Sequence, residues 1–229
     1  MKQVKDVEGH DLSVLIEPIA EANGVDPIAL LALVKAESGL NPYAERYGTR
    51  TQEFLQRLLW YKRGDHSQAQ ELQAILDDVG YDISFGLGQQ IIAYHYAGDH
   101  TTTLENVLAV RKQVFDNPAE NLEDAAIRLA RGKVRSFDNT WLGAMVVYNA
   151  GSDKRNDDEW FARWKGNVAS YQAELDWAEQ YRTAPTQVGV LEHLDELWGV
   201  SNELDRLDHQ SHGDRIRERV AAIKAELGL

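Results

Sequence analysis

One glutamate, Glu37, closes an almost wholly apolar stretch, Asp26-Pro27-Ile28-Ala29-Leu30-Leu31-Ala32-Leu33-Val34-Lys35-Ala36-Glu37-Ser38, which then halts in Gly39-Leu40-Asn41-Pro42. A carboxylate at the end of a buried helix is costly. Burial disfavours its ionised form and the negative end of the helix dipole repels it, so both effects favour a protonated acid near neutral pH. Such an acid is what protonation of a glycosidic oxygen requires. The plain alternative is an exposed last-turn residue on an ordinary helix, and this segment alone does not decide between them.

The boundaries of that helix are well marked. Asp26 is a good N-cap, Pro27 suits the first helical position, and Gly39 followed by Pro42 reads as a stop. Ile28, Leu30, Leu31, Leu33 and Val34 cover most of its circumference, the pattern of a helix packed inside a domain.

Two further segments stand out downstream. In Tyr81-Asp82-Ile83-Ser84-Phe85-Gly86-Leu87-Gly88-Gln89-Gln90, two glycines two apart interrupt an apolar context and predict a shaped loop. In Tyr148-Asn149-Ala150-Gly151 a second apolar helix comes to its end. Together with Glu37-Ser38-Gly39-Leu40-Asn41-Pro42-Tyr43-Ala44, these segments resemble, in kind and in order, the soluble lytic transglycosylase (SLT) family of lysozyme-like proteins. The resemblance covers Leu12 to Arg182. Asn117-Pro118-Ala119-Glu120-Asn121-Leu122 is similar to the family's segment before its penultimate core helix, and Tyr171 stands at the place of its late groove tyrosine.

The resemblance implies a catalytic Glu37 that works alone on the β-1,4 bond between N-acetylmuramic acid and N-acetylglucosamine in peptidoglycan. It protonates the glycosidic oxygen. Its conjugate base then draws the proton from the muramic C6 hydroxyl, which closes on C1 to give a 1,6-anhydro product without consuming water. Tyr148 is expected to hydrogen-bond the Glu37 carboxyl, and Ser38, Ser84, Gln89, Tyr148 itself, Asn149 and Tyr171 are the expected substrate-binding residues. Simpler roles stand beside these: Ser38 as a helix-end cap, Gly86 and Gly88 as makers of a turn, Asn149 at a left-handed helix terminus. No metal or cofactor is implied.

The chain departs from the family in two places. The stretch between the first two segments is longer than in compact members, a helical insertion at about 46–80, and the pair Arg46-Tyr47 is similar to phage-type members with an insertion there. A surface insertion of this length adds little closure entropy. The family's usual Met before the Gln is Gly88 here, which removes a side chain expected to line the sugar groove.

A hydrolytic muramidase, the rival enzyme, needs a second carboxylate at roughly 5–9.5 Å. Asp82 is the best placed, with Glu45 and Asp153 behind it, although all three read as ordinary solvated acids. His209 and His212 sit in the flanking of a helix-hairpin turn rather than a metal site, and His95 and His100 lack a matching third ligand. Trp160, Trp164 and Trp177 fit a packed helix face.

Helical periodicity surrounds these segments and no stretch sustains apolar–polar alternation, so the fold class is mainly α, a lysozyme-like helical domain with a C-terminal helical hairpin. Helices are predicted at Leu12–Ala22 (kinked or begun at Pro18), Asp26–Ser38, Thr51–Arg63, Ser67–Val79, Leu104–Phe115, Pro118–Arg135, Thr140–Asn149 and Asp158–Arg182. Thr183-Ala184-Pro185-Thr186 reads as a linker between a domain at 1–182 and an appendage at 187–229. There, Leu191, Leu194, Leu197, Leu204 and Leu207 form one apolar stripe and Ile216, Val220, Ile223 and Leu227 another, for packing on each other, on the main body or on a protein partner, including a second copy.

Composition narrows the function classes. The 229 residues carry 24 Lys plus Arg against 37 Asp plus Glu, a net charge of −13, which argues against a general binder of nucleic acid or anionic membranes. With no cysteine, a thiol mechanism is excluded. The first ten residues contain no apolar core of signal-peptide length and no run is long enough to span a bilayer. With Met1 as the start, this predicts a virion-associated enzyme or one released to the cell wall by a non-Sec route. An acidic protein gains no steering toward an anionic wall, so a virion or tail structural protein that kept the fold is the rival from another class.

Overall fold

The computed structural model describes residues 1–80, 82–91 and 103–183, with 216–218, 220, 221 and 224 beyond them. It divides into two compact units, Met1–Arg182 and Thr183–Leu229. In the second unit residues 216–218, 220, 221 and 224 are helical and Val220 is buried. The stripe from Leu191 to Leu207, together with His209 and His212, lies outside the described residues, as do His95 and His100.

The first unit is mainly helical. Its order is α1 (Ser13–Ala22), α2 (Pro27–Ser38), β1 (Glu45–Tyr47), a 3-10 turn (Gly48–Arg50), α3 (Thr51–Lys62), α4 (Gln68–Val79), β2 (Ile83–Phe85), β3 (Gln90–Ile91), α5 (Leu104–Asp116), α6 (Pro118–Arg135), α7 (Trp141–Ala150) and α8 (Asp158–Glu179). Pro18 falls inside α1 rather than at its start. It removes the N–H that would reach the carbonyl of Val14.

Helix α2 is the axis of the larger core. The Asp26 side chain accepts from the N–H of Ile28, Pro27 takes the first helical position, and Gly39 ends the helix in the left-handed region at φ 64°. Every residue from Ile28 to Val34 is at most 3% exposed, with α1, α6 and α8 packed around them. Full burial of each Leu on this helix contributes about 1.5–3 kcal/mol, an upper range because the unfolded chain is itself partly compact. This enclosure fixes where the helix end, and so Glu37, comes to rest.

A second core gathers Tyr47, Phe54, Leu58, Leu72, Ile75, Leu76, Ile83, Phe85, Val107 and Val114 from α3, α4, α5 and the strands. Here the structure adds what the sequence did not reveal, a three-stranded antiparallel sheet in the order β1-β2-β3. Its middle rung pairs Arg46 with Ser84 and Ser84 with Ile91, and the next rung pairs Glu45 with Phe85 and Phe85 with Gln90. Because side chains alternate across a strand, the rungs face opposite ways. Phe85, Gln90, Tyr47 and Ile83 go to the interior, and Arg46, Ser84 and Ile91 go to the groove described next.

Candidate active site

A cavity of about 410 Å³ opens where the sheet meets the helices. It is lined by Glu37 at the end of α2, by Arg46, Ser84 and Ile91 of the sheet, by Gln89, by Arg128 of α6, and by Tyr148, Asn149, Ala150 and Gly151 where α7 ends. Of the expected residues, Glu37, Ser84, Gln89, Tyr148 and Asn149 come together here.

Glu37 keeps a fraction of its surface open to this cavity, yet protein encloses it closely enough to push its pKa up to about 7. Desolvation is the leading cause, and the guanidinium groups of Arg46 and Arg128 act against it. The expected protonated acid is therefore a balance, in which burial outweighs two neighbouring cations. Arg46 and Arg128 were not among the expected site residues. Arg128 sits on an amphipathic helix where a solvated cation is ordinary, whereas Arg46 lies two residues from the segment that follows α2.

The turn between β2 and β3 is held from both sides. Gly86, at φ 79°, lies against Asn121, and a Cβ there would come within 2.6 Å of Asn121 Oδ1. Asn121 is fully buried: its Oδ1 accepts from the Gly88 N–H at 2.9 Å, and its Nδ2 donates to Phe85 O at 3.2 Å and to Gln90 Oε1 at 3.1 Å. On the groove side Gln89 adopts φ 45°, and its Nε2 donates to Ala44 O and Gly86 O while its Oε1 accepts from Ser84 Oγ at 3.0 Å. Both amide hydrogens of Gln89 are thus spent on backbone. Ser84 and Gln89 wall the groove by bracing the turn.

Several expectations are corrected. Tyr148 donates its hydroxyl proton to Gly88 O at 2.7 Å rather than to Glu37. Its ring lies under Arg128, whose Cζ is 4.4 Å from the ring centroid, and burial pushes its pKa up. Ser38 does not line the cavity: its Oγ donates to the carbonyl of Val34 at 2.8 Å, which makes it part of the helix end. Tyr171 is buried in the α2 core, close enough to Glu37 to feel its charge, but it does not reach the cavity wall. Asn149 lies within α7, exposed, and the left-handed residue that ends this helix is Gly151 at φ 76°. Gly88 points inward rather than into the groove, since a Cβ there would meet Ala125 Cβ at 2.7 Å and the Tyr148 hydroxyl at 3.0 Å.

The three candidate second carboxylates are each paired with an arginine, and none of them lines the cavity. Asp82 pairs with Arg46, and Glu45 accepts two hydrogen bonds from Arg111 at 2.7 and 2.8 Å and a third from the Tyr47 hydroxyl. Asp153 is buried against Arg155 and the N–H of Phe137, and its pKa is lowered on balance, although desolvation, the largest single effect, opposes those bonds. Among the described residues, Glu37 is the one carboxylate lining the cavity. Trp160 and Trp177 pack against the larger core, with Lys35 Nζ 5.5 Å from the Trp177 ring. No group of three His, Cys, Asp or Glu among the described residues is arranged to hold a metal, and no described helix is long and apolar enough to cross a membrane.

Comparison of the chain with protein-family models, with curated proteins and with solved structures found no match in any of the three.

Proposed function

We propose that this protein is a peptidoglycan lytic transglycosylase, with Glu37 as both acid and base. The observation that carries the proposal is the pairing of a carboxyl group of pKa about 7 with a cavity lined by no other carboxylate among the described residues. With a pKa near 7, Glu37 holds a proton for the glycosidic oxygen in a useful fraction of molecules, and the resulting carboxylate is a competent base for the C6 hydroxyl. Arg46 and Arg128 favour that carboxylate once the proton has gone. The braced Gly86–Gln89 turn and the end of α7 supply fixed walls against which a sugar ring is oriented, so that C6–OH attack outruns water. A hydrolase would need a carboxylate to activate that water, and Asp82, the candidate best placed in the sequence, is held by Arg46.

Clearing of purified cell walls tests this reading. Wild type is expected to lower the turbidity of a sacculus suspension and Glu37→Gln to leave it unchanged. If the two clear walls equally poorly, the protein has the walls of such a site without its chemistry, and a structural role replaces the enzymatic one.

A further inference from the structure

Two arginines in the wall of a cavity that cleaves a glycan call for an explanation. Arg46 arrives from the sheet and Arg128 from α6, and both are near enough to Glu37 for their charge to act on it. Each is also positioned by its neighbours. Arg46 pairs with Asp82, and Arg128 lies over the Tyr148 ring with Nη2 3.5 Å from Tyr148 O. Cleavage of a glycosidic bond builds positive charge on the sugar ring, which a nearby guanidinium opposes. Glu37 would also hold its proton more firmly without them. For a purely neutral substrate, the pair weakens ring-charge stabilisation and keeps little besides a more readily donated Glu37 proton.

We propose that Arg46 and Arg128 form a carboxylate-recognising subsite within the Glu37 cavity, making the enzyme selective for glycan strands that carry an acid on the muramic residue. This rests on the glycan-cleaving reading above. A guanidinium presents paired N–H donors whose spacing matches a carboxylate, and Arg128 is held over the Tyr148 ring with its Cζ 4.4 Å from the centroid. Two such groups stand in the wall of one cavity in a protein of net charge −13, Arg46 with its charge balanced by Asp82 and Arg128 over the Tyr148 ring. The acid has two chemical sources, the free lactyl carboxylate of a stem-free strand or a carboxylate of an attached peptide.

Binding is measured in the Glu37→Gln background by calorimetry, and kcat/KM in the active enzyme. The probes are stem-free strands, the same strands with the lactyl carboxylate converted to an amide, peptide-bearing strands, and neutral N-acetylglucosamine oligomers. Removing a charged hydrogen-bonding group is expected to weaken binding by about tenfold or more. Arg46→Gln and Arg128→Gln are each expected to show that loss on acid-bearing strands and little change on the amidated and neutral ones, with Arg128→Lys recovering part of it. A loss confined to stem-free strands identifies the lactyl carboxylate, and one confined to peptide-bearing strands identifies the stem. Equal losses on charged and neutral strands, with a pH profile moved alkaline, would mean that the arginines serve Glu37 alone and would overturn the proposal. Failure of every form to bind or cut any strand would overturn it together with the glycan-cleaving reading, whereas cleavage without selectivity overturns the subsite only.

Discussion

The Tyr148 hydroxyl and the Gly88 carbonyl are 2.7 Å apart and form a buried hydrogen bond that ties the end of α7 to the turn between β2 and β3. This bond joins two walls of the cavity and leaves Glu37 out. Tyr148→Phe is therefore expected to cost about 1–3 kcal/mol of stability, because a buried acceptor loses its partner. Activity falls through a loosened turn, and the pH at which the rate turns over stays within a few tenths of a unit of wild type. Chemical denaturation and a pH–rate profile check both halves, and a large displacement of the profile would show that Tyr148 acts on Glu37 directly.

Gly88 faces Ala125 and Tyr148, not the groove. Gly88→Met, which introduces the residue usual in the family that the sequence resembles, is expected to destabilise the protein by about 1–3 kcal/mol through overpacking and to lower wall clearing. A stable variant with raised activity would contradict the orientation of this turn.

Burial raises the pKa of Glu37 from 4.5 to about 7, so the native state binds the proton more tightly than the unfolded chain does. Between these values the native state carries more protons, and stability falls as pH rises from about 4.5 through about 7. Glu37→Gln removes that loss. The variant is expected to match wild type near pH 4 and to exceed it by up to about 3 kcal/mol at pH 8. Urea denaturation of both proteins at the two pH values measures it, and a constant difference across pH would show that Glu37 is not buried enough to matter.

Much of this was legible in the sequence. The cap Asp26, the proline after it and the glycine after Ser38 define α2, and its unbroken apolar run requires burial, so the placement of Glu37 followed from residue types alone. The sheet was not legible, because strands of three, three and two residues are too short to establish alternation. The Ser84–Gln89 segment was recognised as shaped, but its brace runs through Asn121, 31 residues beyond Gln90, and only the fold brings them together. Ser38 and Tyr148 were seen as polar groups near a site. The Tyr148 hydroxyl was assigned to the wrong acceptor, since a hydroxyl takes whichever carbonyl the backbone brings nearest, while Ser38 takes the plainer helix-end role set beside its substrate-binding one.

Asp82, the best placed in the sequence of the three candidates for a hydrolytic carboxylate, is half exposed and paired with Arg46. Asp82→Asn is expected to change stability by no more than about 1 kcal/mol, as for other exposed pairs, and to leave both the rate within a few-fold and the product unchanged. Kinetics on purified walls would expose a catalytic Asp82 as a loss approaching that of Glu37→Gln.

The most direct measurement is the mass of the glycan ends released from purified peptidoglycan, with Glu37→Gln as the inactive control. If Glu37 serves as acid and then as base to the C6 hydroxyl, each new muramic end is a 1,6-anhydro sugar, lighter by one water than a hydrolytic end, and the control releases none. Reducing muramic ends alone would contradict the account.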